Sequence, residues 1–430
     1  MDILDQLYFV FADFAEPKKR IFVGYLLLSL FIALAWLIFI KRLTVANALG
    51  RILDRKVFLS NSAIADYKIF VINRLFSSLI SPLLITQITI ATGIYFALHS
   101  QDLIRSGYFS DVGKTAVVAL FTATLFVIDD FTKYVVHRWM HRFPVLWAIH
   151  KIHHSAETLT PVTVYRVHPL EGVLYALRGT VAQGLAISVF IFLFGSSVDL
   201  YTVLGANVLV FVFHVSGSNL RHSHINISYW PWLERIFISP AQHQLHHSVA
   251  EEHFDKNFGA ALAIWDWLFG SLHLSQTEQD KTLASGLDAT EGASGADLRT
   301  IYLAPFVEIA GIVRGLFGKA RMKFGLSSSP GMETRWLMRS MGGLFKRQPY
   351  RTPDISLPLR HLPLSPHSLS SKFKGGLSLL ALDAPTPVEF AYWGIDASAN
   401  PFPAERLPVP RRVRGCPGSG VSCRAGGDRV

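Results

Sequence analysis

Cysteine is almost absent: the 430 residues contain two, Cys416 and Cys423, both in the last fifteen positions. That excludes a thiolate metal site or a disulfide framework in the body of the chain. Charge is scarce as well, at 17% Asp, Glu, Lys and Arg against 50% hydrophobic residues, with a mean hydropathy of +0.32. A soluble domain carries roughly a quarter charged residues, so this composition reads as a membrane protein. No haem-attachment motif, flavin glycine fingerprint or iron–sulfur cysteine set occurs, which leaves no recognisable electron-transfer module in these residues. The excess of ten basic residues, 41 against 31, lies partly in the C-terminal tail. Membrane flanks and a basic tail account for it without nucleic acid. A cleavable signal peptide is not expected, because the first long apolar run follows acidic residues and exceeds an h-region.

What the chain does have is long apolar runs. Segments 21–40, 79–98, 115–136, 172–194 and 198–215 are each apolar enough to be read as crossings, the last two as a hairpin about the turn GSSVD. Ahead of them, LYFVF beside Asp2, Asp5, Asp13 and Glu16 could lie in the interface. Lys41, Arg42, Arg51, Arg55, Lys56 and Lys68 follow the first span, and the positive-inside rule places them in the cytoplasm. The fold expected is an all-α integral membrane bundle of about four to five transmembrane helices. A cytosolic helical cap from residues 137–171 and 216–275 would sit on one face of it.

Histidine is concentrated where that cap begins. Between positions 137 and 154 there are five: His137 and His141 as H-x-x-x-H, then His150, His153 and His154 as H-x-x-H-H. The second spacing recurs at His243, His246 and His247. Helical residues three or four apart share a face, so each cluster can aim imidazoles at one point. In each triplet the outer pair shares a face and the third ring sits about 100° round, able to serve the same ion or a second one. Eight imidazoles exceed what one ion needs, whereas two ions with open positions would use them all. Imidazole suits zinc, copper, nickel and iron, so the ligand type leaves the metal open.

Asp129 and Asp130 interrupt the third apolar run, where a carboxylate is costly. Asp130, Tyr134, His137 and His141 fall on one helical face, which makes Asp130 a candidate acceptor for an imidazole N–H. Asp129 points elsewhere and reads as structural. Two other functions stay open at this point. A zinc hydrolase would want three ligands, an open position and a carboxylate base. A metal transporter or binding protein would place its histidines inside the spans, along a pathway. Metal stoichiometry and oxygen-dependent turnover separate the three readings.

The set HRWMH, HKIHHS, VHPLE, NLRHSH, SPAQHQLHHS and NFGAALAIWDWLFGSLH, across residues 115–275, resembles the fatty acid hydroxylase and sterol desaturase superfamily. The resemblance implies a membrane helix bundle under a cytosolic cap, with a histidine-bound centre of two Fe ions that activates dioxygen. It implies oxidation of a lipid, by hydroxylation or desaturation, with electrons from a separate donor protein. By the same resemblance His137, His141, His150, His153, His154, His243, His246 and His247 are metal ligands. A further ligand is expected from FVFHVSGSNLRHSHI, where His222 beside Asn219 is favoured over His214 and His224. His168 is a candidate ligand or outer group with Glu171 orienting it, and Asn257 and Asp266 are candidate partners of bound imidazoles. The divisions expected are a membrane region at 1–114, the catalytic domain at 115–275, a loop and amphipathic helix at 276–345 and a disordered tail at 346–430.

Overall fold

The computed structural model describes residues 11–17, 19–80, 84, 87–101, 104–195, 198, 207–278, 283–287 and 297–323. The turn at 195–199, most of the loop at 276–298 and the tail at 346–430 fall largely or wholly outside them. Among the described residues the protein is helical, with β-structure limited to two isolated bridges, Phe237 to Leu262 and Ser248 to Ser285. The helices are α1 (Val23–Ala35), α2 (Val45–Ile52), α3 (Arg55–Phe58), α4 (Asn61–Ile80), α5 (Gln87–His99) and α6 (Lys114–Arg142). They continue with α7 (Pro144–His154), α8 (Pro169–Phe194), α9 (Asn207–Val215), α10 (Pro240–His246), α11 (Ile264–Leu268) and α12 (Leu298–Lys323).

Three of these meet the length and apolarity of a membrane span: α1 with its π-helical extension (Val23–Ile40), α6 and α8. Of the run 79–98, residues 81–83, 85 and 86 lie outside the described residues, and the described helix is α5. It lies along α8, where Gly184 matters: a Cβ there would come within 3.0 Å of Ile90 and 3.2 Å of the Ala91 nitrogen. Ser188 Oγ donates to the Ala91 carbonyl at 2.7 Å across the same contact. Of the fifth run only Asn207–Val215 is described as helix.

Helix α6 is the axis of the site. Its 29 residues extend roughly 43 Å, so its last turns run beyond what a bilayer core would cover. One end packs Val117 and Phe121 on Ala186, Phe190 and Phe194 of α8. The other end carries His137 and His141. Proline then sets the geometry three times. A residue before proline is driven out of the α region, and proline itself suits the first helical position. Phe143 is extended ahead of Pro144, His168 ahead of Pro169 and Ser239 ahead of Pro240. Each break redirects the chain, so α7 folds back beside the end of α6 and α8 and α10 start in the same layer. Ser239 and Gln242 also close a capping box on α10, which satisfies its first free N–H groups.

The amphipathic segment after the loop is helical, as α12. It covers α7 through Ile301, packed with Ala65, Ile69 and Ile152, and through an ion pair between Glu308 and Lys151.

Candidate metal centre

The folded chain brings nine histidines into two adjoining groups. His137, His141, His150, His154 and His246 form one; His153, His222, His243 and His247 form the other. Within each group the candidate ligand atoms lie within 4.8 Å of one another. The outer pair of each triplet stays together, His150 with His154 and His243 with His247. The middle histidine of each triplet crosses to the neighbouring group. The groups abut, with the His154 and His247 rings stacked at 4.6 Å.

The hydrogen bonds settle which nitrogen of several rings faces inward. His137 Nδ1 donates to the Phe258 carbonyl at 2.8 Å and His246 Nδ1 to the Lys256 carbonyl at 2.7 Å. A carbonyl only accepts, so in each neutral ring Nε2 is left as a lone pair. Those two Nε2 atoms lie 3.0 Å apart. In the second group His153 Nδ1 reaches the Arg166 carbonyl at 3.3 Å, which leaves its Nε2 as a lone pair facing His222 Nε2 at 3.1 Å, while no acceptor fixes the tautomer of His222. His243 Nε2 approaches the same His222 atom at 3.0 Å. Facing lone pairs repel unless a proton or a metal ion lies between them. Burial works against the proton: it lowers His150, His154, His222, His243, His246 and His247 well below the usual imidazole range, and His153 to about 3. The inward nitrogens of His141, His150 and His154 and both nitrogens of His247 are buried without a hydrogen-bond partner. Neutral, desolvated imidazoles with convergent lone pairs fit two transition-metal ions and fit little else.

Around the rings the protein supplies acceptors, and here several anticipated roles change. Glu171 does not orient His168. Its Oε1 accepts from His150 Nδ1 at 3.0 Å, across the contact between α7 and the first turn of α8. His168 caps α8 through the Leu170 N–H and donates Nε2 to the Tyr302 carbonyl at 3.3 Å, outside both groups. His214 bonds Ser218 Oγ at 3.1 Å and His224 the Arg51 carbonyl at 2.8 Å, so neither joins a group. Asn219 holds Arg20, accepting from Nε at 3.2 Å and donating to its carbonyl at 3.0 Å.

Asp130 does not touch an imidazole either. It accepts from the Ala261 and Leu262 N–H groups and from Trp265 Nε1, at 2.7, 3.0 and 2.9 Å. Asp266 accepts from the Phe258 and Gly259 N–H groups at 2.8 and 2.7 Å and from Ser271 Oγ at 2.6 Å. Its burial pushes the carboxyl up to about 6. Asn257 donates to the Gln242 carbonyl at 3.1 Å and accepts from the His273 N–H at 2.8 Å. All three brace the loop 255–262, whose carbonyls at Lys256 and Phe258 hold two of the rings.

These carbonyls were not legible as site groups, but the loop left a trace in DKNFG. Asp255 and Asn257 have φ of 58° and 55°, the left-handed region those residues tolerate best. At Gly259 a Cβ would meet the Leu262 carbonyl at 2.5 Å. Arg166 is a second group that side-chain reading missed. Fully buried, it bonds Asp66 Oδ1 at 2.6 Å, the Ile152 carbonyl at 3.2 Å and Ser155 Oγ at 3.1 Å, while its own carbonyl holds His153. A cavity of about 60 Å³ opens against both groups, lined by their histidines and by Arg20, Val164, Glu171, Tyr175 and Arg221 among others.

With this geometry in hand the comparisons are informative. The fatty acid hydroxylase family model matches residues 122–271. The chain is 29% identical over 147 residues to ornithine lipid hydroxylase OlsE of Rhizobium tropici, covering 34% of this chain and 40% of that protein. It is 29% identical over 165 residues to the alkylglycerol monooxygenase of Danio rerio, 36% of this chain and 30% of that one. It is 28% identical over 163 residues to the Delta(7)-sterol 5(6)-desaturase ERG3B of Gibberella zeae, 38% of this chain and 45% of that one. The chain thus spans less than half the length of these relatives. No solved structure matches. The family match covers every residue of both histidine groups, and within residues 122–271 the chain is similar to the fatty acid hydroxylase family and to lipid hydroxylases and sterol desaturases.

Proposed function

We propose that this protein is a membrane di-iron oxygenase that hydroxylates or desaturates a lipid, with electrons from a separate donor protein and the nine grouped histidines as ligands. The observation that carries the reading is the pair of histidine groups with inward lone pairs, inside the segment shared with lipid hydroxylases and a sterol desaturase. Bound there, two iron ions would supply dioxygen activation and the removal of hydrogen from an unactivated C–H bond. The chain supplies the ligand geometry and the cavity. Neutral imidazoles hold the ions, and the carbonyls of Lys256, Phe258 and Arg166 with Glu171 fix ring orientation. Val164, Val167 and Tyr175 give the cavity an apolar side by which a lipid chain could enter.

A cytoplasmic position for the centre is supported by the basic residues of segment 41–68. That segment lies on the metal side, since the Arg51 carbonyl meets His224 and Ser62 backs Arg166, and basic segments stay inside. The test is metal analysis of detergent-purified, anaerobically iron-loaded protein, followed by oxygen uptake with sterol, fatty acyl and ether lipid substrates. Close to two irons per chain and lipid-dependent uptake are expected. One zinc per chain, with no uptake for any lipid, would overturn the reading in favour of a hydrolase.

A further inference from the structure

Two surface segments, 229–237 and 262–269, turn large apolar side chains outward. Trp230, Trp232, Trp267 and Leu268 are 69%, 60%, 60% and 59% exposed, and Phe237 and Phe269 are half-buried. The segments lie side by side: Phe237 bridges to Leu262, and the Ala263 N–H donates to the Ile236 carbonyl at 2.8 Å. Their acids point the other way, with Glu234 and Asp266 fully buried. The outward side therefore carries no carboxylate and one charge, that of Arg235. An apolar surface of this kind marks a place of interaction, and tryptophan is the residue enriched where water meets lipid.

Helix α6 decides what covers it. Charged residues bound its apolar part: Lys114 at one end and, about 28 Å along, Lys133 with its partner Asp129 at the other. That length matches a hydrocarbon core of about 30 Å. Arg178 of α8 meets Asp129 at 2.9 Å, so both helices place charge at one level. The aromatic segments are fastened at the same level, because Asp130, next in the chain, holds the Ala261 and Leu262 N–H groups and Trp265 Nε1. Continuity points the same way. Leu120, Ala123 and Val127 form an exposed stripe on α6, and the next residue in that stripe is Phe131. Trp265 and Phe269 lie on the Phe131 ring, at 4.9 and 6.4 Å. We propose that segments 229–237 and 262–269 are a lipid-docking face, seated in the interface of the bilayer that α6 crosses. His137 then lies about 10 Å beyond the level of Asp130 along the helix axis. The seat is also tied to the five-histidine group, since buried Asp266 braces the loop whose Phe258 carbonyl holds His137.

The test places a fluorescent label on the face. In full-length protein with Cys416 and Cys423 replaced by serine, Trp232→Cys and Trp267→Cys are each labelled with bimane and reconstituted into phosphatidylcholine nanodiscs. Val127→Cys serves as the lipid reference and Glu251→Cys, on an exposed acid, as the water reference. Dibrominated phosphatidylcholine should quench both tryptophan positions about threefold more than position 251, and iodide about threefold less. Should a tryptophan variant fail to fold, Leu268→Cys takes its place. Quenching like that of position 251 would put the face in water and overturn the proposal. Protection from both quenchers would overturn it too, because protein would then cover the face, whether a second copy or an electron donor. The readout needs neither metal nor turnover, so it fails independently of the oxygenase reading.

Discussion

The two histidine groups are built from the same residue type but are held differently. In the five-histidine group, His137, His246 and His150 each have the outward nitrogen on a protein acceptor: two carbonyls and a carboxylate. In the four-histidine group only His153 is held so, while the outward nitrogens of His222 and His243 and both of His247 lack a partner. Outer hydrogen bonds fix ring tautomer and raise ligand basicity. The first group is therefore the better organised, and under limiting iron it should fill first.

Removing a proposed ligand is the strongest way to break that comparison. His246→Ala should weaken iron binding at the first group by more than about a hundredfold, beyond the effect of an outer partner, and His243→Ala should do the same at the second. Iron titration read by metal analysis should then show one ion retained in each variant. Loss of both ions from either single variant would show that the groups do not act as two sites.

Arg166→Met keeps the carbonyl that holds His153 and tests whether the buried Arg166 side chain positions it. It removes the charge partner of Asp66, fully buried and left with the Thr163 hydroxyl, at a cost of about 3–5 kcal/mol. The expected results are a clear fall in melting temperature and a loss of affinity of tens of fold at the four-histidine group. Equal loss at both groups would mean that Arg166 only supports the fold. Asp266→Ala loosens the loop that carries the Phe258 carbonyl, and should cost about tenfold at the five-histidine group alone.

The smallest effect expected is that of pH on metal affinity. Outside the spans, the grouped histidines have folded pKa values below the unfolded value of about 6.5, His153 at about 3. Such groups contribute stability above pH 6.5 that is lost as pH falls toward the folded values. Metal-free protein should therefore lose melting temperature progressively below pH 6.5. Affinity measured on folded protein should change less than about twofold from pH 8 to pH 6.5, because its imidazoles are already neutral.

Much of the centre was legible because helical spacing is a local property. His137 and His141, or His150 and His154, must share a face wherever the helix lies. The acceptors were not legible, for the opposite reason. The carbonyls of Lys256, Phe258 and Arg166 are present in any residue, and only the tertiary path of the loop brings them to a ring. Glu171 was matched to the nearer His168 in sequence, whereas the break at Pro169 turns it toward His150. Asp130 shares a helical face with His137 and His141, yet two backbone N–H groups and an indole claim it. In the fold, α6 and α8 followed from apolar character and length.

The crossing of the middle histidines sets a ruler inside the protein. His153 and His154 are neighbours in sequence and serve different groups, as do His246 and His247. One peptide unit, with consecutive Cα atoms about 3.8 Å apart, therefore fixes the offset between the two groups, and it does so twice, from two helices. A tilt or slide of α7 or α10 carries both groups along together. Their separation is a covalent dimension of the chain and does not depend on how the membrane around it is packed.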